Sequence, residues 1–84
     1  PAILDSLAWV LYLDGSYKDA YEYASLAYIK DQDPEIVSHY YKILLKNGFK
    51  QKAKKVLEKS LMNNPENDEL LQLLDENSDE AAQL

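Results

Sequence analysis

The sequence contains no cysteine, so disulfides, thiolate chemistry and cysteine metal sites are excluded, and nothing in it reports a redox compartment. Histidine occurs once, at His39; a metal cluster or a His-activated nucleophile would need acids from separate helices to converge on that one ring. Glycine stands only at Gly15 and Gly48, as single turn residues rather than a phosphate-cradling loop. No stretch approaches the ~18 consecutive apolar residues of a membrane helix, and no charged, apolar and cleavable leader is visible. No segment alternates apolar and polar residues with period two over a useful length, which removes the half-buried strand. Paired acids such as Asp31 with Asp33, and Asp68 with Glu69, fall at helix starts and turns, where acids serve as caps and solvated groups. The chain is therefore expected not to be an enzyme and to carry neither metal nor cofactor.

What is present argues for a folded chain. Of the 84 residues 46% are apolar and 29% charged, which opposes disorder over most of the length. Domains of this size bury only about 60–65% of the surface their unfolded chains expose, so one small domain is the upper limit. The chain opens on Pro1 rather than Met, which reads as a piece excised from a longer protein. The net charge of -6 is unevenly spread: residues 1–33 carry two Lys against six acids, residues 34–65 seven Lys against two acids, and residues 66–84 seven acids alone.

Helical periodicity recurs along the chain. Leu4, Leu7, Ala8 and Leu11 form one stripe of a helix over about 2–13, which Gly15 ends by supplying a positive φ. Ser16 and Asp19 make a capping-box pattern for a second helix over about 17–30, with Ala20, Tyr23, Ala24, Ala27 and Tyr28 inward. Asp33, Pro34 and Glu35 read as N-cap, first-turn proline and dipole-friendly acid of a third. Val37, Tyr40, Tyr41 and Leu44 make its stripe, widened by Ile36 and Ile43, until Asn47 and Gly48 break it. A fourth helix over about 50–63 buries Ala53, Val56, Leu57, Ser60 and Leu61. After Asn64-Pro65, a fifth over about 66–76 turns Leu70, Leu71, Leu73 and Leu74 inward and Asp68, Glu69, Gln72, Asp75 and Glu76 to water. The acidic, small-residue stretch 77–84 reads as a disordered tail.

The stretch "DGSYKDAYEYASLAYI", Asp14 to Ile29, is echoed by "NGFKQKAKKVLEKSLM", Asn47 to Met62, with Gly15 and Gly48, and Ala20 and Ala53, each 33 residues apart. Two helical pairs at such an offset are the signature of a solenoid whose units bury their apolar faces by stacking. Leu4, Leu7, Ala8, Leu11, Gly15, Tyr17, Ala20, Ala24 and Ala27, and then Val37, Tyr40, Leu44, Gly48, Ala53, Leu57, Ser60 and Pro65, together resemble the tetratricopeptide repeat. The resemblance implies an all-α, right-handed solenoid of two hairpins, about 2–33 and 34–65, closed by a capping helix over 66–76. Small residues such as Ala8 opposite Ala20 let two backbones approach closely. Tyr41 stands where the family has Gly, Ala or Ser, so either the second hairpin is splayed or the Tyr41 ring swings to the edge. The segments "ILDSLAWVLYLDGSYKDA" and "DPEIVSHYYKILLKNGFKQKA" further resemble the last two repeats of bacterial multi-repeat proteins, many of them envelope lipoproteins. That resemblance implies a bacterial envelope or periplasmic setting ahead of a cytoplasmic one.

In such proteins the first helix of each unit lines a concave groove. The resemblance places Asp5, Trp9 and Tyr12 there from the first unit, and Ser38, Lys42, Leu45 and Lys46 from the second. A groove Trp offers large contact area and a donor at low entropic cost, although Trp9 can equally pack against a neighbouring unit. A lysine-and-asparagine carboxylate clamp, used by some members, has no counterpart at these positions. The expected partner is a protein or peptide, together with upstream repeats of the same chain or, in their place, another copy of it. The alternative is a regulatory or targeting appendage of an enzyme. Lys50, Lys52, Lys54, Lys55 and Lys59 make a basic strip on the fourth helix, but no aromatic is interleaved with them to stack bases, and nucleic acid is not the expected ligand.

Overall fold

The computed structural model describes the backbone of residues 1–82 and the side chains of residues 1–76. Every regular element among the described residues is an α-helix: α1 (Ala2–Leu13), α2 (Tyr17–Lys30), α3 (Pro34–Lys46), α4 (Lys50–Asn63) and α5 (Asp68–Ala82). None is long and apolar enough to cross a membrane.

Two turns share one construction. At the end of α1 the Gly15 amide donates to the Tyr12 carbonyl and the Ser16 amide to that of Leu11; at the end of α3 Gly48 donates to Leu45 and Phe49 to Leu44. This crossed pair of bonds is the Schellman motif, which needs a left-handed residue, and Gly15 and Gly48 supply it with φ of 86° and 81°. All four residues of the first turn map onto the second by the same 33-residue step. The turn also overrides the expected capping box: with its amide committed to Leu11, Ser16 takes ψ 65° and its side chain makes no cap bond. Asp33 does cap α3, its Oδ1 accepting the Glu35 amide at 2.9 Å. Asn67 accepts the Leu70 amide at 3.1 Å, so α5 starts at Asp68 rather than at Glu66. Its backbone continues to Ala82; the side chains of the acidic tail expected over 77–84 lie outside the described residues.

The packing follows the small residues. Ala8, Ala20, Ala24, Ala27 and Ala53 are buried, with Val37, Ile43, Leu44, Leu57, Leu70 and Leu73 filling the space between helices. Tyr41 is only 3% exposed, so its ring stays inside, and α3 meets α4 less extensively than α1 meets α2. Bulk in place of Ala8's methyl group thus widens the second hairpin, the first of the two alternatives that the sequence left open. The odd-numbered helices touch in series, α1 to α3 and α3 to α5. Helix α2 packs on α1 and α3, α4 on α3 and α5, and α2 meets α4 only through the long Lys52 side chain, among the described residues. Leu7, expected inside, is 40% exposed, because no helix covers its side of α1. Leu71 and Leu74 are likewise partly exposed on α5, while Leu70 and Leu73 take the buried stripe.

Candidate functional site

Helices α1 and α3 lie in contact, and their facing turns assemble a short aromatic ladder. Trp9 is central. Its ring stacks on Tyr12, three residues on along α1, with centroids 4.6 Å apart, and on His39 of α3 at 4.1 Å, with planes within 18° in both pairs. Tyr12 in turn tilts against Tyr17 at the start of α2, 5.6 Å away. Two cations from α3 rest on this ladder: Lys42 Nζ stands 5.6 Å from the Trp9 ring centre and Lys46 Nζ 5.6 Å from that of Tyr17. Both distances fall within the ~6 Å reach of cation–π attraction. Spacing explains the order, since positions 39, 42 and 46 on α3 are three and four residues apart and share one face.

Beneath the ladder lies a buried polar pair. Asp5 is 8% exposed, and His39 Nδ1 stands 2.8 and 3.0 Å from its two carboxylate oxygens. A carboxylate can only accept, so the proton of this contact sits on Nδ1. The pair ties α1 to α3, and Trp9 covers the ring from one side.

The residues expected in the groove therefore part company. Trp9, Tyr12 and Lys42 are half-buried, with Tyr12 and Lys42 each against the Trp9 ring, and Lys46 is exposed over Tyr17. Leu45 is half-buried and packs against the core. Ser38 is not at the surface: it is 1% exposed, and its hydroxyl has no hydrogen-bond partner among the described residues. Asp5 too is turned inward, onto His39. Ser38 and Asp5 are 33 residues apart and hold equivalent places, which face the next helix in the row rather than solvent. Tyr17, Glu35 and His39 were absent from the expected set. No spacing in the sequence pointed to the pairing of His39 with Asp5, 34 residues away.

Elsewhere the basic strip of α4 is exposed throughout, and Lys52 is folded back onto α2, where its Nζ donates to the Tyr21 hydroxyl at 3.2 Å. That bond lowers the Tyr21 pKa below its ordinary value and raises that of Lys52. Tyr21 also lies 6.4 Å from Tyr40 and 5.1 Å from Phe49, and Tyr28 lies 4.9 Å from Tyr40, so aromatic rings bridge α2, α3 and the α3–α4 turn. Burial pushes the Tyr28 phenol upward.

Fold and surface together define an all-helical chain that displays an aromatic ladder bordered by cations. Set against protein-family models, curated proteins and solved structures, it matches none of them.

Proposed function

We propose that this chain is a protein-interaction module, built from two tetratricopeptide-like hairpins and a capping helix, whose α1–α3 face binds a segment of a partner protein. The observation that carries the reading is the half-exposed Tyr12–Trp9–His39 ladder with Lys42 at its face and Lys46 beyond. Stacked rings are rigid, so a ligand orders few side chains on binding, and aromatic residues dominate the energetics of protein recognition. The two ammonium groups favour a ligand with an acid next to its apolar anchor. The solenoid reading is supported by the two superposable Schellman turns and by the serial contacts of α1, α3 and α5.

A longer array is supported by the same 33-residue step. Ile3 and Val10 of α1 are 85% and 62% exposed, whereas Ile36 and Ile43, their equivalents on α3, are 7% and 0% exposed with α2 packed on that helix. An upstream helical pair of the parent protein would cover α1 as α2 covers α3.

The reading is tested with a displayed random-peptide library selected on the tag-free protein. Enriched sequences should pair a large apolar residue with Asp or Glu, and their affinity should fall about tenfold or more on Lys42→Ala, a substitution at a half-exposed site that leaves the melting temperature within a few degrees. Enrichment without acids, or affinity indifferent to Lys42, would remove the groove assignment.

A further inference from the structure

One group of side chains, sharing His39 with the ladder, has potential ligand atoms that partner binding leaves unused. Asp5, Glu35 and His39 each bring one potential ligand atom, and these three atoms lie within 4.8 Å of one another. His39 and Glu35 are four residues apart, on successive turns of one face of α3, and Asp5 reaches them from α1. The Asp5 side chain is only 12% exposed, yet both its oxygens accept from the same single N–H of His39. A carboxylate has about four lone-pair positions, so most of the accepting capacity of this buried anion is unspent. Asp5 and Glu35 also line an open recess of about 560 Å³ whose wall includes Asp31 and Asp33, giving small solutes a path to the carboxylates. The Glu35 side chain makes no hydrogen bond or ion pair among the described residues.

We infer that Asp5, Glu35 and His39 form a site for one divalent cation of the zinc class. An imidazole with two carboxylates suits borderline metals, whereas Mg²⁺ and Ca²⁺ prefer oxygen alone. The cation takes the place now held by the Nδ1 proton. That proton moves to Nε2 of the same ring, leaving the Nδ1 lone pair for the metal, with one oxygen from each carboxylate and a water completing four ligands. Ligand bonds of about 2.0–2.2 Å in a tetrahedron put ligand atoms about 3.3–3.6 Å apart. The 2.8 Å contact between Asp5 and His39 must therefore open by about half an ångström. Glu35, exposed at the first turn of α3, closes the remaining distance by changing rotamer. Trp9 stacked on the imidazole holds the ring plane while this happens. Because two ligands come from α3 and one from α1, the cation joins the helices that carry the aromatic ladder. The inference shares only His39 with the peptide-binding reading, and its test involves no partner, so the two can fail separately.

The chain contains one Trp, 4.1 Å from the His39 ring, so its fluorescence reports the site directly. Co²⁺, a paramagnetic stand-in for Zn²⁺, is titrated into tag-free protein. The expected result is saturable quenching at one equivalent, reversed by Zn²⁺ and unaffected by excess Mg²⁺, with Zn²⁺ also raising the melting temperature. Glu35→Gln preserves the buried Asp5–His39 pair and the fold, which circular dichroism verifies, and weakens Co²⁺ at least about tenfold. Asp31→Asn, a change to the recess wall outside the three ligands, leaves the affinity within about threefold, well short of the tenfold loss expected from Glu35→Gln. Quenching that never saturates, or equal affinity in wild type and Glu35→Gln, would overturn the site. So would equal weakening by Glu35→Gln and Asp31→Asn, which signals diffuse attraction to acids alone.

Discussion

Asp5 and His39 are 34 residues apart in sequence and 2.8 Å apart in the fold. Their contact is the one ion-pair geometry among the described residues, and it is nearly closed to water, with side chains 12% and 16% exposed. A hydrogen bond to a charged group contributes about 1.5–3 kcal/mol, and removing one member leaves the other buried without its partner. His39→Ala and Asp5→Ala should each lower stability by about 2 kcal/mol, which for a domain of this size corresponds to a fall of roughly 8–16 °C in melting temperature. The double variant should cost clearly less than the sum of the two, because the second substitution removes a group already orphaned. Strict additivity in calorimetry would show that the two side chains act separately.

Ser60→Ala should stabilise the protein. The Ser60 hydroxyl is buried without a hydrogen-bond partner among the described residues, and Ala27, its equivalent in the first hairpin, fits at 0% exposure. Deleting an unsatisfied hydroxyl and gaining helix propensity should add about 0.5–1 kcal/mol. A lowered midpoint in urea would mean that Ser60 has a partner the geometry does not show.

Ala8→Leu should do the opposite. Ala8 and Ala20 are both fully buried where α1 meets α2, so added bulk forces the first hairpin apart at a cost of about 1–3 kcal/mol. The same volume is tolerated at Tyr41 because α3 and α4 already stand less closely packed. Melting curves for Ala8→Leu and Tyr41→Leu, compared side by side, should show the larger loss at position 8.

Alkaline titration should resolve individual tyrosines. Tyr21, lowered by its bond from Lys52, ionises first, and Tyr28, raised by burial, ionises late. Phenolate absorbance should therefore rise over a broad range around pH 10, with Tyr28→Phe removing its upper part and Lys52→Gln moving the Tyr21 portion upward. Lys52 and Tyr28 hold their protons more tightly in the folded state, so what they contribute is complete below about pH 10 and disappears as pH climbs through their folded values. Tyr21 has the reverse sign, favouring the fold above that pH and losing its contribution as pH falls through its lowered value. Melting temperature should respond to these three groups only in the alkaline range.

Ile3, Val10 and Leu13 leave α1 apolar on its outer side as well as its inner one, a pattern suited to a helix covered on both sides. The isolated chain should self-associate as concentration rises, and Val10→Asp should abolish this with little change in melting temperature, since Val10 is 62% exposed. Sedimentation of wild type as a monomer at every concentration would count against a partner for this face.

Helix limits were legible in the sequence because the punctuation is strong: Asp33-Pro34 opens α3, Gly15 and Gly48 close α1 and α3, and Asn64-Pro65 ends α4. Periodicity also identified the inner stripes of α3 and α4. It failed at Leu7, because a stripe tells which residues could be covered and not whether a covering helix is present. The candidate site was half legible. Spacing put Trp9 and Tyr12 on one side of α1, and the resemblance, carried over by 33 residues, named that side and Lys42 of α3. Ser38 and Asp5 were misplaced for one reason: small and polar residues resemble surface residues in sequence, while tertiary contact between α1 and α3 encloses both. The Asp5–His39 bond joins two repeats, and no local pattern encodes it.

Helix α3 touches each of the other four helices, and none of the other four does so. The outer helices can detach singly, α1 and α2 from one end and α4 and α5 from the other, without exposing what remains on the far side of α3. Loss of α3 leaves, among the described residues, only two helix pairs, α1 with α2 and α4 with α5, tied by the single Lys52–Tyr21 bond. Opening is thus expected to proceed inward from both ends, with backbone amides near Ile43 and Leu44 the last to exchange with deuterated solvent. The chain's weakest points are its two ends, while its centre is the part that every event at either end must leave intact.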